Sequence, residues 1–256
     1  MSDDPTIIPG LTEWTSLGTL MEEHRLPVGV ATKDGIAASV TLRPWCFEDE
    51  FVVGAWQNQK GATGGQFLRR LMGWYCSELC GTKMPRGVDE DCSPLQACQE
   101  QGVRALPVGK LSFADALTLL FMIRASDEPT LKLPPMKLDG ETFTPEVNLA
   151  DTPCRSLVKG RAPADLEFEL HGITWRPPSI RLLDRTMGIG AKTRIAMVEE
   201  CRVKGPAMNK ALTSRAMLLE VVDALELRTC GPKLTVTGTH RGSEWASILD
   251  VGAMFR

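Results

Sequence analysis

Apolar and polar residues alternate over several short segments of this chain, as they do in half-buried β-strands. The clearest case is residues 36–42, which follow a segment opening at Leu26-Pro27 and are ended by Pro44. Three carboxylates at residues 48–50 then stand in the first turn of a predicted helix, where the helix dipole favours negative charge. An ordinary strand-to-helix corner would show the same local pattern.

Helical spacing of apolar residues predicts several further elements. A short helix is expected near residues 17–24, and the carboxylate-marked helix spans residues 47–57. The others are predicted at residues 66–80, 94–100, 112–125, 180–187, 193–202 and 213–226. Ser112 and Asp115 have the spacing of a capping box, in which each side chain bonds the backbone amide of the other residue. The helix that follows them has almost no polar face, so we expect it to be buried.

Three hairpins are predicted from paired alternating runs with turn residues between them. The first spans residues 130–149 with its turn at Asp139-Gly140, and the second spans residues 166–176 with its turn at His171-Gly172. The third covers residues 233–251 and turns around residues 240–242. Helices and antiparallel hairpins in one chain define the α+β class.

The order of elements divides the chain into three parts. Residues 1–25 are predicted to be an extended N-terminal arm, residues 26–152 a first α+β half and residues 153–256 a second. Each half ends with an apolar helix followed by a hairpin. The two halves are therefore candidates for an internal duplication, although this motif is common enough to recur by chance.

Composition narrows the functional classes. A chain of 256 residues with 43% hydrophobic and 24% charged residues is typical of a globular protein, and it has no apolar run long enough to cross a bilayer. A net charge of −3 with dispersed basic residues disfavours nucleic-acid binding. The acidic N-terminus lacks the layout of a secretory signal, so we expect synthesis in a cytoplasm.

No catalytic constellation emerges from the motifs. The glycines before Lys192 lack the spacing of a phosphate loop, because Ala191 stands where a glycine is required directly before the lysine. The histidines His171 and His240 fall at predicted turns, and no nucleophile elbow accompanies them. We expect a protein that is not an enzyme and needs no cofactor.

Four cysteines form the only cluster with any resemblance to a metal site: Cys76, Cys80, Cys92 and Cys98. Four thiolates can hold a structural zinc, but the spacing is not that of paired knuckles. If residues 66–80 are helical, Cys76 and Cys80 lie one turn apart, which would also suit two core cysteines. Zinc, a disulfide and buried thiols all stay open.

Taken together, the segments resemble the bacteriophage baseplate family of contractile-tailed phages, which comprises baseplate-hub components and their assembly factors. The resemblance lies in the order of short motifs over most of the chain. These motifs are Leu26-Pro27, Leu42-Arg43-Pro44-Trp45 with the following carboxylates, the buried helix ending at Ser126, the hairpin to Leu149, and the terminal hairpin closing on Leu249-Asp250 with Met254-Phe255. Members of the family often carry a Cys-x-x-Cys knuckle after the buried helix, whereas this chain has residues 133–138 without cysteine there.

The resemblance implies a structural component of the baseplate hub that works by protein–protein contacts within a hetero-oligomeric assembly in the virion. Its partners would be other baseplate and tail proteins. Apolar residues of the arm, the tryptophans and the C-terminus are the candidate contacts: Trp14, Leu17, Trp45, Trp175, Trp245, Met254 and Phe255. Trp45 and Trp175 also suit an ordinary core. A transient assembly factor absent from the virion and a cysteine-based zinc adaptor remain alternatives.

Overall fold

A computed structural model describes residues 10–44, 71–72, 74–83, 111–178 and 198–249. Short helices and antiparallel strands in small sheets make this an α+β fold, which confirms the predicted class. No described helix is both long and apolar enough to cross a membrane.

The helices described from end to end are α1 (Leu17–Glu22), α2 (Phe113–Asp127), α3 (Met208–Ala211) and α4 (Arg215–Leu227), with 3₁₀ turns at Leu149–Asp151 and Pro163–Leu166. Residues 71–72, 74–75 and 198–200 are helical as well. The strands in the first part of the chain are β1 (Thr15–Ser16), β2 (Arg25–Thr32), β3 (Gly35–Leu42), β4 (Cys76–Leu79), β5 (Thr82–Lys83), β6 (Thr130–Lys132), β7 (Met136–Leu138), β8 (Glu141–Phe143) and β9 (Glu146–Asn148). Those that follow are β10 (Pro153–Arg155), β11 (Phe168–Leu170), β12 (Ile173–Trp175), β13 (Arg202–Lys204), β14 (Gly231–Pro232), β15 (Thr235–His240) and β16 (Ser243–Ile248).

All sheets of the described residues are antiparallel. The largest has the order β2-β3-β4-β5. Two sheets have three strands, β1-β10-β14 and β11-β12-β13, and three ladders have two strands each, β6-β9, β7-β8 and β15-β16. The β7–β8 ladder continues the β6–β9 ladder, so the predicted hairpin of residues 130–149 is confirmed.

Two-residue turns ending in glycine close four hairpins. In each turn both residues have positive φ, the conformation of a type I′ turn, whose twist matches that of the strands. The turns are Cys80-Gly81, Asp139-Gly140, His171-Gly172 and Arg241-Gly242. The predicted turns at Asp139 and His171 and the predicted terminal hairpin are therefore confirmed.

Helix α2 is the central buried element. Its capping box is present as predicted, because the Ser112 hydroxyl accepts from the Asp115 amide at 2.9 Å and the Asp115 carboxylate accepts from the Ser112 amide at 3.3 Å. Its apolar residues are buried on every side, against β2, β14, α1 and the turn after β9. The largest hydrophobic cluster of the fold surrounds this helix.

A second cluster forms around Trp175. Its indole is fully buried and donates to the Leu170 carbonyl oxygen at 3.1 Å. Ile173 and Val221 are buried in the same cluster, so it joins the sheet β11-β12-β13 to helix α4. Ser214 caps α4 by accepting from the Met217 amide, and the helix predicted at residues 213–226 is confirmed.

The helix predicted at residues 66–80 is wrong at its C-terminal end. Residues 71–72 and 74–75 are helical, but residues 76–79 form β4, because they pair with β3 and then turn at Cys80-Gly81. Of the helix predicted at residues 193–202, residues 198–200 are helical, and Arg202 begins β13, which pairs with β12. The helices predicted at residues 47–57, 94–100 and 180–187 lie outside the described residues.

The described part of the predicted arm packs on the chain's own body. Residues 10–17 run antiparallel to residues 152–158, with the Thr12 amide donating to the Ser156 carbonyl at 2.8 Å and the Leu17 amide to the Thr152 carbonyl at 2.9 Å. β1 pairs with β10, and Ser16 caps α1. The helix predicted near residues 17–24 is present as α1, and the assignment of residues 1–25 as a separate arm stays a prediction.

Residues of both predicted halves share the cluster around α2. Val236 and Leu249 of the terminal hairpin pack with Leu17 and Phe121 there. The sequence order of apolar helix and hairpin recurs as expected, in α2 with the β6–β9 ladder and in α4 with β15–β16. The division at residue 152 and the internal duplication stay predictions.

Candidate contact surface

Of the predicted contact residues, Trp14 is the one that the described structure leaves well exposed, with 47% of its surface accessible. Leu17 and Trp175 are fully buried within the chain, which corrects their assignment as contacts. Trp245 is half-buried because its ring covers Gly238 and packs edge-on against Phe143. Trp45, Met254 and Phe255 lie outside the described residues.

A change of register directs Trp14 outward. Leu11 is bridged to Leu157, whereas Thr15 pairs with Cys154, so three arm residues span two residues of the facing segment. One extra residue on one side is the signature of a β-bulge, which redirects a side chain without ending the pairing. Trp14 lies in this bulge and is held on both sides by backbone pairing.

The Arg155 guanidinium packs against the face of the Trp14 ring. Its guanidinium carbon lies 4.8 Å from the ring centroid, within the range of a cation–π interaction. The same guanidinium donates to the carbonyl oxygens of Leu227 and Thr229 at distances of 2.5–3.2 Å. Because these carbonyls lie at the C-terminal end of α4, the positive charge also complements the helix dipole. Three hydrogen bonds therefore orient the Arg155 guanidinium against the Trp14 ring.

An exposed leucine borders this support. The Leu227 side chain is 46% exposed, and its carbonyl is one of the acceptors of Arg155. We call this set of three residues the Trp14 surface: Trp14, Arg155 and Leu227. Arg155 itself is buried, and burial lowers the pKa of its guanidinium from the ordinary value. An arginine still keeps its charge at neutral pH.

A second cation–π contact stabilises the same end of α4. The Arg228 guanidinium lies 4.2 Å from the Phe168 ring centroid and donates to the Ala224 carbonyl at 3.0 Å. Two arginines from different parts of the chain therefore bond the final carbonyls of this helix. The geometry fixes the backbone beneath Leu227.

A buried carboxylate holds the core near this surface together. Asp115 accepts from the Val28 amide at 2.9 Å, from the Gly29 amide at 3.2 Å and from the Ser112 hydroxyl at 2.8 Å, besides the capping amide. Val28 and Gly29 can point their amides at it because the β2–β3 register shifts between Arg25 and Val30. Asp115 thus fastens β2 to the start of α2.

Burial dominates the titration of Asp115. It raises the pKa of the carboxyl from 3.8 to about 6, and the hydrogen bonds from Val28, Ser112 and Gly29 act in the opposite direction. The group is fully buried, and four protein donors already bond it. We assign Asp115 a structural role.

The described cysteines are buried thiols. Burial raises the pKa of five thiols to about 12: Cys76, Cys80, Cys154, Cys201 and Cys230. A thiol with such a pKa is protonated at neutral pH and is a poor nucleophile or metal ligand. No group of three or more histidine, cysteine, aspartate or glutamate residues within the described ranges is arranged to hold a metal.

The suggestion of a zinc cluster assumed that Cys76 and Cys80 lie one helical turn apart. Cys76 is in a strand and Cys80 is in the following turn, so they are not one helical turn apart. Cys92 and Cys98 lie outside the described residues. The sequence signal that we overlooked is Cys80-Gly81 itself, which is a hairpin turn and not a helix terminus.

Arg155 is a candidate contact residue that the sequence pattern did not indicate. A charged residue between Cys154 and Ser156-Leu157, in a run that turns out to be buried, was the available signal. A buried charge requires partners. No protein-family model, curated protein or solved structure matches this chain.

Proposed function

We propose that this protein is a structural component of a contractile phage tail baseplate, near the hub, and that it acts by binding other baseplate and tail proteins. The observation that carries the contact part of this proposal is the exposed Trp14 ring held on the buried Arg155 guanidinium. The baseplate assignment rests on the resemblance of the sequence motifs. In this proposal the protein belongs to the virion, within a hetero-oligomeric assembly.

The chemistry of the Trp14 surface suits a protein partner. Tryptophan and arginine are enriched among the residues that dominate binding energy, and these residues usually lie where the local structure is rigid and water is excluded on binding. Trp14 offers a large apolar face without a loss of ordering entropy, because backbone pairing and Arg155 already fix its position.

Replacing Trp14 tests this proposal in the assembled particle. In phage lacking the native gene and supplied with Trp14→Ala, we expect incorporation into particles to fall by about tenfold or more, since a central tryptophan contributes about 2 kcal/mol or more to binding. Quantitative mass spectrometry of purified particles measures the ratio of this protein to the tail-tube protein.

Leu219→Ala is the matched control, because Leu219 is 49% exposed on α4 and makes no bond to Arg155. It should incorporate as the wild type does. Equal incorporation of Trp14→Ala and wild type would exclude the Trp14 surface as a contact. Absence of the wild-type protein from particles, despite its presence in the lysate, would replace the structural role with that of an assembly factor.

A further inference from the structure

The terminal hairpin has the longest unbroken two-stranded ladder in the described chain. β15 and β16 pair over six consecutive residues from Thr235↔Ile248 to His240↔Ser243, without a register shift. The Leu249 amide adds a bond to the Leu234 carbonyl at 2.8 Å. Within the described residues, no third strand pairs with either outer edge of this ladder.

The register fixes which backbone groups point outward. In an antiparallel pair, residues that bond each other alternate with residues whose amide and carbonyl face away from the partner strand. The bond between residues 249 and 234 makes that pair a bonded one, so residues 235, 237 and 239 of β15 direct their backbone groups to the outer edge. All three are threonines with exposed side chains.

This edge lacks the protection that natural proteins give to edge strands. Lysine, proline, bulges and short length are the usual devices that prevent a second chain from pairing. The other two-stranded ladders have three paired residues each and carry such charges, with Lys132 and Glu146 on one and Lys137 and Glu141 on the other. β15 has no lysine, no proline and no bulge.

We propose that the outer edge of β15 pairs antiparallel with the same edge of a second copy of this chain, about a two-fold axis at Thr237. In this register Thr237 faces its own copy and Thr235 faces Thr239, so every outward pair consists of two threonines. Cross-strand threonine pairs are favourable, and no charge is buried. The β16 edge suits this less well, because a two-fold axis at Ala246 would set the Glu244 carboxylate against the apolar Ile248.

The threonine pattern therefore favours a second copy over an unrelated strand. The product is a continuous four-stranded antiparallel sheet, in the order β16-β15-β15-β16, with an isologous interface. The association uses neither Trp14 nor Arg155, so it is independent of the function proposed above.

Charge substitution at the axis tests the pairing in solution. In sedimentation equilibrium, we expect the dimeric fraction of the purified wild-type protein to increase as the protein concentration rises. Thr237→Lys alone and Thr237→Glu alone should each raise the dimer dissociation constant by about tenfold, because like charges then face each other directly. An equimolar mixture of the two variants should dimerise at least as well as the wild type, because the facing charges are opposite.

The matched control places the same charges on the other edge of the hairpin. Ala246→Lys and Ala246→Glu change the residue that pairs with Thr237 and is likewise exposed, so they should leave the dimer dissociation constant unchanged. Circular dichroism would verify that each variant is folded. The proposal would be overturned if the wild type were monomeric at all concentrations. It would also be overturned if Thr237→Lys dimerised as the wild type does, or if the Ala246 variants weakened the dimer instead.

Discussion

The Asp115 carboxylate should make the stability of this protein fall as the pH rises through the weakly acidic range. Its pKa is raised from 3.8 to about 6 in the folded chain, so the folded state binds the proton more tightly than the unfolded state does. The contribution to stability is then fully present below the unfolded pKa and is lost as the pH passes the folded pKa. The shift corresponds to a loss of about 3 kcal/mol between about pH 4 and about pH 7.

The variant Asp115→Asn isolates this contribution, because asparagine keeps the shape but does not titrate. Its amide oxygen can still accept from Val28 and Gly29, whereas the capping bond to the Ser112 amide is lost at a cost of about 1 kcal/mol at all pH values. The thiols of Cys80 and Cys230, which interact with Asp115, have pKa values of about 12 and stay neutral in this range. The difference between the two proteins therefore reports on Asp115 alone.

Urea unfolding followed by tryptophan fluorescence measures the free energy of unfolding of both proteins at several pH values. We expect the wild type to lose about 3 kcal/mol relative to Asp115→Asn between about pH 4 and about pH 7. A constant difference would refute the reasoning. A wild type that gains stability with rising pH would show that the hydrogen bonds outweigh desolvation.

Three further predictions concern the core. Gly29→Ala should destabilise the fold by about 3 kcal/mol, because the residue has a φ of +79° and an added Cβ would lie 2.7 Å from the Ala37 carbonyl oxygen. Gly81→Ala is the control, since Gly81 has a φ of +73° but open space around it, and it should cost about 1 kcal/mol in the same urea assay. Equal costs of the two substitutions would contradict the clash at Gly29. Trp175→Ala should lower the free energy of unfolding by about 3–5 kcal/mol, and a loss below about 1 kcal/mol would show that the indole is not in the core. After brief alkylation of the native protein, peptide mapping should find the five buried thiols unlabelled: Cys76, Cys80, Cys154, Cys201 and Cys230. Rapid labelling of any of them would contradict its burial.

Local signals in the sequence were sufficient wherever a few neighbouring residues determine the structure. The Asp139-Gly140 and His171-Gly172 turns require positive φ, which glycine and short polar residues tolerate, so they could be predicted from two residues. The Ser112–Asp115 capping box likewise depends on residues three apart. These signals established the hairpins, helix α2 and the fold class.

Pairing between distant segments could not be predicted in this way. Residues 76–79 have apolar spacing compatible with a helix, and only their pairing with β3, more than thirty residues earlier along the chain, makes them a strand. The burial of Leu17 depends similarly on contacts with α2 and with the turn after β9. Sequence pattern gives the kind of residue on a face, but the tertiary partner decides whether the face is exposed.

The candidate surface was predicted only in part for the same reason. Trp14 could be named because an apolar aromatic residue stood in a segment rich in glycine and proline. Its contact with Arg155 could not be predicted, since Arg155 lies about 140 residues from Trp14 in sequence and 72 residues from Leu227 at the end of α4. The two residues come together only through the pairing of β1 with β10.

The measurement that tests the central claim most directly is quantitative mass spectrometry of highly purified phage particles from cultures that express this chain. A baseplate component should be present at a fixed ratio of a few copies to the tail-tube protein, and the ratio should persist through successive purification steps. A protein that is abundant in the lysate but absent from the particles, or whose ratio falls with each step, would contradict a structural role in the baseplate.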